Sequence, residues 1–172
     1  GNTALAMGEK VKYVKFELKN WPGFDDGVYM AAQVYYDNNF KDIPQVEAGA
    51  KYPGAAVLAK IDPKKLIGKH YEPLFPYYKD LEGEKYIINF GDFVTTEDGT
   101  GIVHIAPMFG EDDYNFGQQY ELAIIQHVGM DGIFRPEVKD FAGKFVKGQD
   151  LNLANYLYEK RLLFKKQNYY EY

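Results

Sequence analysis

A chain of 172 residues with 46% hydrophobic content is long enough to bury a sizeable core, and one domain spanning residues 1–172 is expected. The formal net charge of −5 argues against a protein whose main business is coating nucleic acid with positive charge, and the absence of cysteine excludes disulfides, thiolate zinc sites and cysteine nucleophiles. No apolar run approaches a membrane span and no signal peptide opens the chain, so a soluble protein is expected; the abrupt start GNTALAMG suggests a piece of something longer.

Sixteen Tyr, twelve Phe and one Trp tilt the balance towards strands, and seventeen Gly with eight Pro add frequent turns. The alternation in VKYVKFEL, residues 11–18, predicts a half-buried strand, and NWPGFDDG, residues 20–27, has the Pro-Gly and Asp-Gly signals of a hairpin loop. Residues 28–36, VYMAAQVYY, suit either a continuing strand or a short helix. From Asp37 to Gly54 the chain is polar and irregular, a surface excursion punctuated by Pro44, Gly49 and Pro53. Ala55 to Ile61 is apolar and ordered, and Asp62-Pro63-Lys64-Lys65 has the form of an N-cap with Pro in the first turn of a short helix. Lys60, Lys64, Lys65 and Lys69 form one basic run and Lys160, Arg161, Lys165 and Lys166 another; each suits a solvated face or contact with phosphate.

KHYEPLFPYY, residues 69–78, is too broken by Pro73 and Pro76 for a helix, and its rings are better placed to plug a core than to stack on a base; His70 reads as a surface or packing residue. Residues 86–93, YIINFGDF, predict a strand that Val94 to Thr96 can extend. Leu122 to Val128 reads as another strand, with His127 near its end, and residues 133–145 as a loop packed by its own rings. From Asp150, Leu151, Leu153, Ala154, Leu157, Leu162 and Leu163 recur at mostly helical spacing.

The densest set of chemically useful groups lies in residues 97–117, EDGTGIVHIAPMFGEDDYNFG. Ile102 to Ile105 read as a short buried strand that Pro107 ends. Gly110 with Glu111, Asp112 and Asp113 reads as the acidic first turn of a helix. Gly99 and Gly101 flank Thr100 where a missing Cβ lets a ligand approach the backbone. His104 and Asp113 would then face one cleft, with free helix N–H groups between them. The plainer alternative is a hydrogen-bonded core histidine and carboxylates that merely complement the helix dipole.

This stretch resembles the GTG-φ-VH-φ-AP-x-x-G-x-DDY motif, φ apolar, of the editing insertion of isoleucyl-tRNA synthetases. Asn2 to Ala6, Tyr71 to Pro76 and Phe141 to Val146 are similar to further stretches of the insertion, and Leu162 to Lys165 resembles the strand by which it returns to the catalytic core. The resemblance implies a mixed, β-rich α/β fold with a β-barrel-like core and peripheral short helices, and it favours a helix within residues 28–36.

It also implies hydrolysis of valyl-tRNA(Ile), with pre-transfer editing left open, within a cytoplasmic parent enzyme that joins isoleucine to tRNA(Ile). Asp113 matches the carboxylate that holds the substrate ammonium, and His104 the histidine beside the side-chain pocket; these two form the expected catalytic pair. Gly99, Thr100, Gly101, Phe109 and Gly110 are expected to complete the substrate site, while Asp112 is expected to cap the helix. The implied partners are the tRNA(Ile) 3′ end carrying a misacylated amino acid and the remaining synthetase domains, with no membrane. No cofactor or metal is implied here; ATP and Mg belong to the parent's synthetic domain. The family's threonine-rich segment lies upstream of the match to Asn2, where this sequence does not reach. The competing readings are the insertion of a valyl or leucyl relative, a non-catalytic tRNA-docking module, and a metal hydrolase using His104, Glu111, Asp112 and Asp113.

Overall fold

Short apolar segments between positions 4 and 105 build two three-stranded sheets. In the computed structural model, which describes residues 3–164, the first sheet has the order β5 (Ile87–Phe90), β1 (Ala4–Met7), β6 (Ile102–Ile105). Its central strand β1 runs parallel to β5 and antiparallel to β6, with Leu5 opposite both Ile88 and His104. The second sheet is antiparallel, ordered β3 (Gly27–Ala32), β2 (Tyr13–Lys19), β4 (Gly54–Ile61), with a register shift at Lys15/Phe16.

Residues 28–36 are both things their sequence allowed. The strand lasts until Ala32 pairs with Tyr13, and helix α1 (Gln33–Phe40) follows at once. Its buried residues Tyr36 and Phe40, one turn apart, pack on Phe16 with ring centroids 4.8 and 5.2 Å away. Val14, Phe16 and Leu18 complete that core, and each large side chain so buried contributes about 1.5–3 kcal/mol.

A second cluster lies between the sheets, where Met7 and Ile88 of the first meet Tyr13 and Ala32 of the second. The Tyr13 hydroxyl accepts from Gly8 N–H at 2.9 Å and donates to Gly101 O at 2.5 Å, which makes this buried tyrosine a polar rivet in an apolar seam. The β-rich core is thus two sheets sharing side chains, without a continuous hydrogen-bonded ring among the described residues.

The other face of the first sheet is covered by helix α2 (Glu111–Gln119), whose Phe116 joins Ala4, Ala6 and Ile105. The chain after α2 forms a loop-rich lobe around Phe134, Val138 and Phe141, into which Phe75, Tyr77 and Tyr78 insert as plugs. Helix α3 (Asp150–Glu159) closes it through Leu153 and Tyr156. No helix among the described residues is long and apolar enough to cross a membrane.

Four expectations need correction. Leu122 to Val128 is extended but not a strand, because only the isolated bridges Glu84↔Leu122 and Val128↔Phe134 pair it with other extended segments; Leu122 packs with the first sheet's core and Val128 on the lobe. Val94 does not extend β5, since its N–H donates to Gly91 O in a turn. The helix from Asp150 stops before Leu162 and Leu163 because Arg161 takes a left-handed φ of 56° and Leu162 N–H bonds back to Leu157 O. Leu162 to Phe164 is not strand, and Lys165 lies outside the described residues, as do Asn2 and Lys166.

By contrast, Asp62 caps its turn as expected: its carboxylate accepts from Lys64 N–H at 3.0 Å, with Pro63 opening the 3-10 turn Pro63–Lys65.

Candidate functional site

The site is built where β6 gives way to α2. β6 is an edge strand among the described residues, so alternate backbone groups on its outer side have no strand partner among them. Just past its end one backbone group is claimed by a side chain: Asp113 Oδ2 accepts from Ala106 N–H at 2.8 Å. The carboxylate in the first turn of α2 is thereby tied to the strand end two residues beyond His104. Pro107 stops the strand, and Phe109 N–H donates to Ala106 O at 2.8 Å to close the turn. Gly117 lets the helix approach, since a Cβ there would lie 2.9 Å from Pro107 Cγ.

Gly110 is the N-cap of α2, in an extended conformation and with no side-chain cap hydrogen bond. Asp112, expected to cap, does not. It sits inside the first turn, too late in the chain to reach back over the helix start. It is exposed and lines a cleft of about 780 Å³ along α2, together with Asn115, Gln119, Glu9 and Asp92. Glu111, Asp112 and Asp113 all favour the positive end of the helix dipole. The first N–H groups of α2 thus have no side-chain cap beside the tethered carboxylate.

His104 projects from the same sheet face as its cross-strand neighbour Leu5. The strand expected to be buried is so at Ile105 only; Ile102 and Val103 are half-buried and His104 is exposed. Its ring makes no hydrogen bond with another described residue, although the protein atoms crowding it cost the imidazolium hydration and lower its pKa. The neutral imidazole is therefore favoured at neutral pH, leaving one ring nitrogen able to accept a proton or hydrogen bond.

The Gly-Thr-Gly loop sits at the other end of β6. Thr100 O accepts Ala32 N–H at 2.8 Å, and the Thr100 side chain is half-buried. Gly101 has φ +73°, and a Cβ on it would lie 2.9 Å from Ala32 Cβ, so its missing side chain serves the junction of the two sheets. Gly99, at φ +76°, adopts the left-handed conformation that favours glycine and has open space around it. Phe109 and Met108 are 60% and 40% exposed, an apolar lip at the start of α2.

The fold thus joins His104, Ala106, Phe109, Gly110 and Asp113 within one strand–turn–helix unit and places Gly99 to Gly101 at its far end. His70 and His127 lie elsewhere. His70 is exposed and bonded to Glu84 at 2.6 Å; His127 is buried beneath the Tyr78 ring, 4.8 Å between centroids. No group of three or more His, Asp or Glu side chains among the described residues is arranged to hold a metal.

One residue carried no weight in the sequence. Thr3 is fully buried with its backbone N–H on Ile105 O at 2.7 Å, and its hydroxyl has no partner among the described residues. A polar residue leading into an apolar strand was the only signal.

No family model matches the chain. It is 37% identical over 167 residues to an isoleucine–tRNA ligase of Bdellovibrio bacteriovorus, a match that covers 96% of this chain and 15% of that protein. It is 41% identical over 113 residues to the Clostridium acetobutylicum enzyme of that name, covering 66% of this chain and 11% of the relative. With the cytoplasmic isoleucine–tRNA ligase of Arabidopsis thaliana it shares 33% identity, covering 95% of this chain and 16% of the relative. The chain therefore spans about 15% of the length of the first of these curated relatives. Among solved structures it is similar to GlLeuRS-CP1, with a TM-score of 0.63 and 14% identity, covering 98% of this chain and 80% of that one, which establishes the fold.

Proposed function

The chain is a homologue of one segment of the isoleucine–tRNA ligases, folded as a CP1 editing domain, and on that premise we propose that it hydrolyses the ester joining valine to tRNA(Ile). One missing methylene is worth only ~1–3 kcal/mol to an apolar pocket, a general limit for which isoleucine against valine is the usual example, so a second, smaller pocket must remove the error. The identity of 37% to an isoleucine enzyme against 14% to GlLeuRS-CP1 favours isoleucine over leucine as the parent's amino acid.

The observation that carries the reading is the hydrogen bond from Ala106 N–H to Asp113 Oδ2. It holds a carboxylate at a fixed place beside the His104 strand and leaves Oδ1 to accept from the substrate's α-ammonium, a charge-assisted bond. Asp113 is then an anchor, which selects molecules with a free amine. His104, kept neutral by its surroundings, limits the pocket and orients the attacking water. Gly99, Thr100, Gly101, Phe109 and Gly110 complete the walls. Water attacks the ester carbonyl, valine leaves as the free acid and the ribose hydroxyl is restored. The reaction needs no cofactor in this domain; ATP and Mg serve the parent's synthetic step, in the cytoplasm.

The anchor is tested by acylating the valine nitrogen. Valyl-tRNA(Ile) should be deacylated and N-acetylvalyl-tRNA(Ile) should not. Equal hydrolysis of both removes Asp113 from the role given to it.

A further inference from the structure

Lys60, Lys64 and Lys65 have no part in the site above, and the fold enlarges the group they begin. Pairing of Tyr13 with Ile61 and of Val14 with Lys60 brings Lys10 and Lys12, just ahead of β2, alongside the end of β4 and the turn after it. A Glu9–Lys64 bridge of 3.5 Å fixes this neighbourhood. All five lysines are exposed. Of the nearby acids, Glu9 is engaged by Lys64 and Asp62 as the cap of the 3-10 turn, while Asp92 and Asp112 share with Lys10 the cleft along α2. Lys10, Lys12, Lys60 and Lys65 make no salt bridge with another described residue. Away from that cleft, Lys12, Lys60, Lys64 and Lys65 against Glu9 and Asp62, on a protein of net charge −5, reverse the sign of the surface locally.

This patch is joined to the Gly-Thr-Gly loop through two consecutive residues. Lys12 O accepts from Gln33 N–H at 2.8 Å, and Thr100 O accepts from Ala32 N–H at 2.8 Å. Val11, between Lys10 and Lys12, has Cγ1 3.6 Å from where a Cβ on Gly101 would stand. Lys10 and Lys12 thus stand beside the loop that opens β6, the strand that carries His104, and a linear polyanion lying on the lysines has its nearest strand there. Lysine ammonium groups suit such contact, because they are point charges that hold phosphates without reading bases.

We propose that Lys10, Lys12, Lys60, Lys64 and Lys65 carry the phosphodiester backbone of the RNA arm whose aminoacylated 3′ end enters the site at His104 and Asp113; this rests on the aminoacyl-RNA reading given above. The test uses the 172-residue chain and an RNA acceptor-stem minihelix ending in CCA, titrated between about 50 and about 200 mM KCl. One variant combines K10Q, K12Q, K60Q and K65Q. A control of equal charge combines K41Q, K51Q, K139Q and K147Q, all exposed.

The patch variant should bind about tenfold or more weaker, with a log–log salt slope shallower by about 3, while the control stays close to wild type. Equal loss in both variants, no loss in either, or no salt-dependent binding by the wild type overturns the patch. Hydrolysis of a valylated minihelix by the protein carrying this domain, with and without the patch substitutions, separates this from the underlying reading. If the wild type leaves the ester intact but only the patch variant loses RNA, the editing reading falls and the patch stands. If the ester is cleaved and both variants bind alike, the patch alone falls.

Discussion

Asp113 Oδ2 lies 2.8 Å from the amide nitrogen of Ala106, so the carboxylate proposed to anchor the substrate ammonium also fastens helix α2 to the end of strand β6. The two jobs are separable by substitution. Asp113→Asn keeps an oxygen for Ala106 N–H but loses the charge, and should retain the wild-type melting temperature within a few degrees while deacylation of valyl-tRNA(Ile) falls roughly 10–100-fold, the worth of a charge-assisted bond. Asp113→Ala should lose both, adding about 1 kcal/mol of destabilisation in urea titration. Full activity in Asp113→Asn would show that the charge has no role.

Gly99 and Gly101 look alike in the sequence and differ in the structure. Both have positive φ, but only Gly101 is pressed against Ala32, 2.9 Å from a would-be Cβ. Gly99→Ala should cost about 1 kcal/mol for the left-handed backbone, and Gly101→Ala about 1–3 kcal/mol more for overpacking at the sheet junction. Equal unfolding midpoints for the two variants would contradict this placement.

His127 makes stability depend on pH. Burial lowers its pKa to about 4 from the ordinary 6.5, and its Nδ1 has no partner among the described residues. The unfolded chain therefore binds the extra proton between pH 6.5 and 4, so this contribution is intact above pH 6.5 and is lost as pH falls towards 4. The loss should approach roughly 3 kcal/mol, read from urea midpoints across that range. His127→Leu should flatten the dependence; an unchanged slope would assign it to other groups.

His104 carries the opposite kind of signature, in rate rather than stability. Its lowered pKa keeps the imidazole neutral to a more acidic pH than an ordinary histidine. The kcat/KM for deacylation should hold as pH falls through the usual histidine range and drop only below it, and the drop should disappear in His104→Gln. A midpoint above the usual histidine value would contradict the desolvation argument.

Local signals were legible in the sequence wherever backbone chemistry decides the outcome. β6 falls on residues 102–105 as its apolar run and Pro107 indicate, α2 begins just after Gly110, and the Asp62–Pro63 cap forms as written. Pairing was not legible. Leu122 to Val128 has the composition of a strand, but it forms no ladder; its isolated pairings are with Glu84 and Phe134. The same limit hid the reason for Gly101, which depends on Ala32 from another sheet, and the lysine patch, which is assembled only when β2 pairs with β4. His104 and Asp113 were visible as candidates, whereas the Ala106 amide that ties Asp113 to the end of β6 was not, because no side chain marks it.

The central claim is selective removal of the smaller amino acid, and the most direct measurement compares deacylation of valyl-tRNA(Ile) with that of isoleucyl-tRNA(Ile) by the protein carrying this domain, with and without Asp113→Ala. Rapid loss of valine, slow loss of isoleucine and abolition of the difference in the variant are the expected results. Valyl-tRNA(Ile) that persists as long as isoleucyl-tRNA(Ile) in the presence of the wild-type protein would contradict the account.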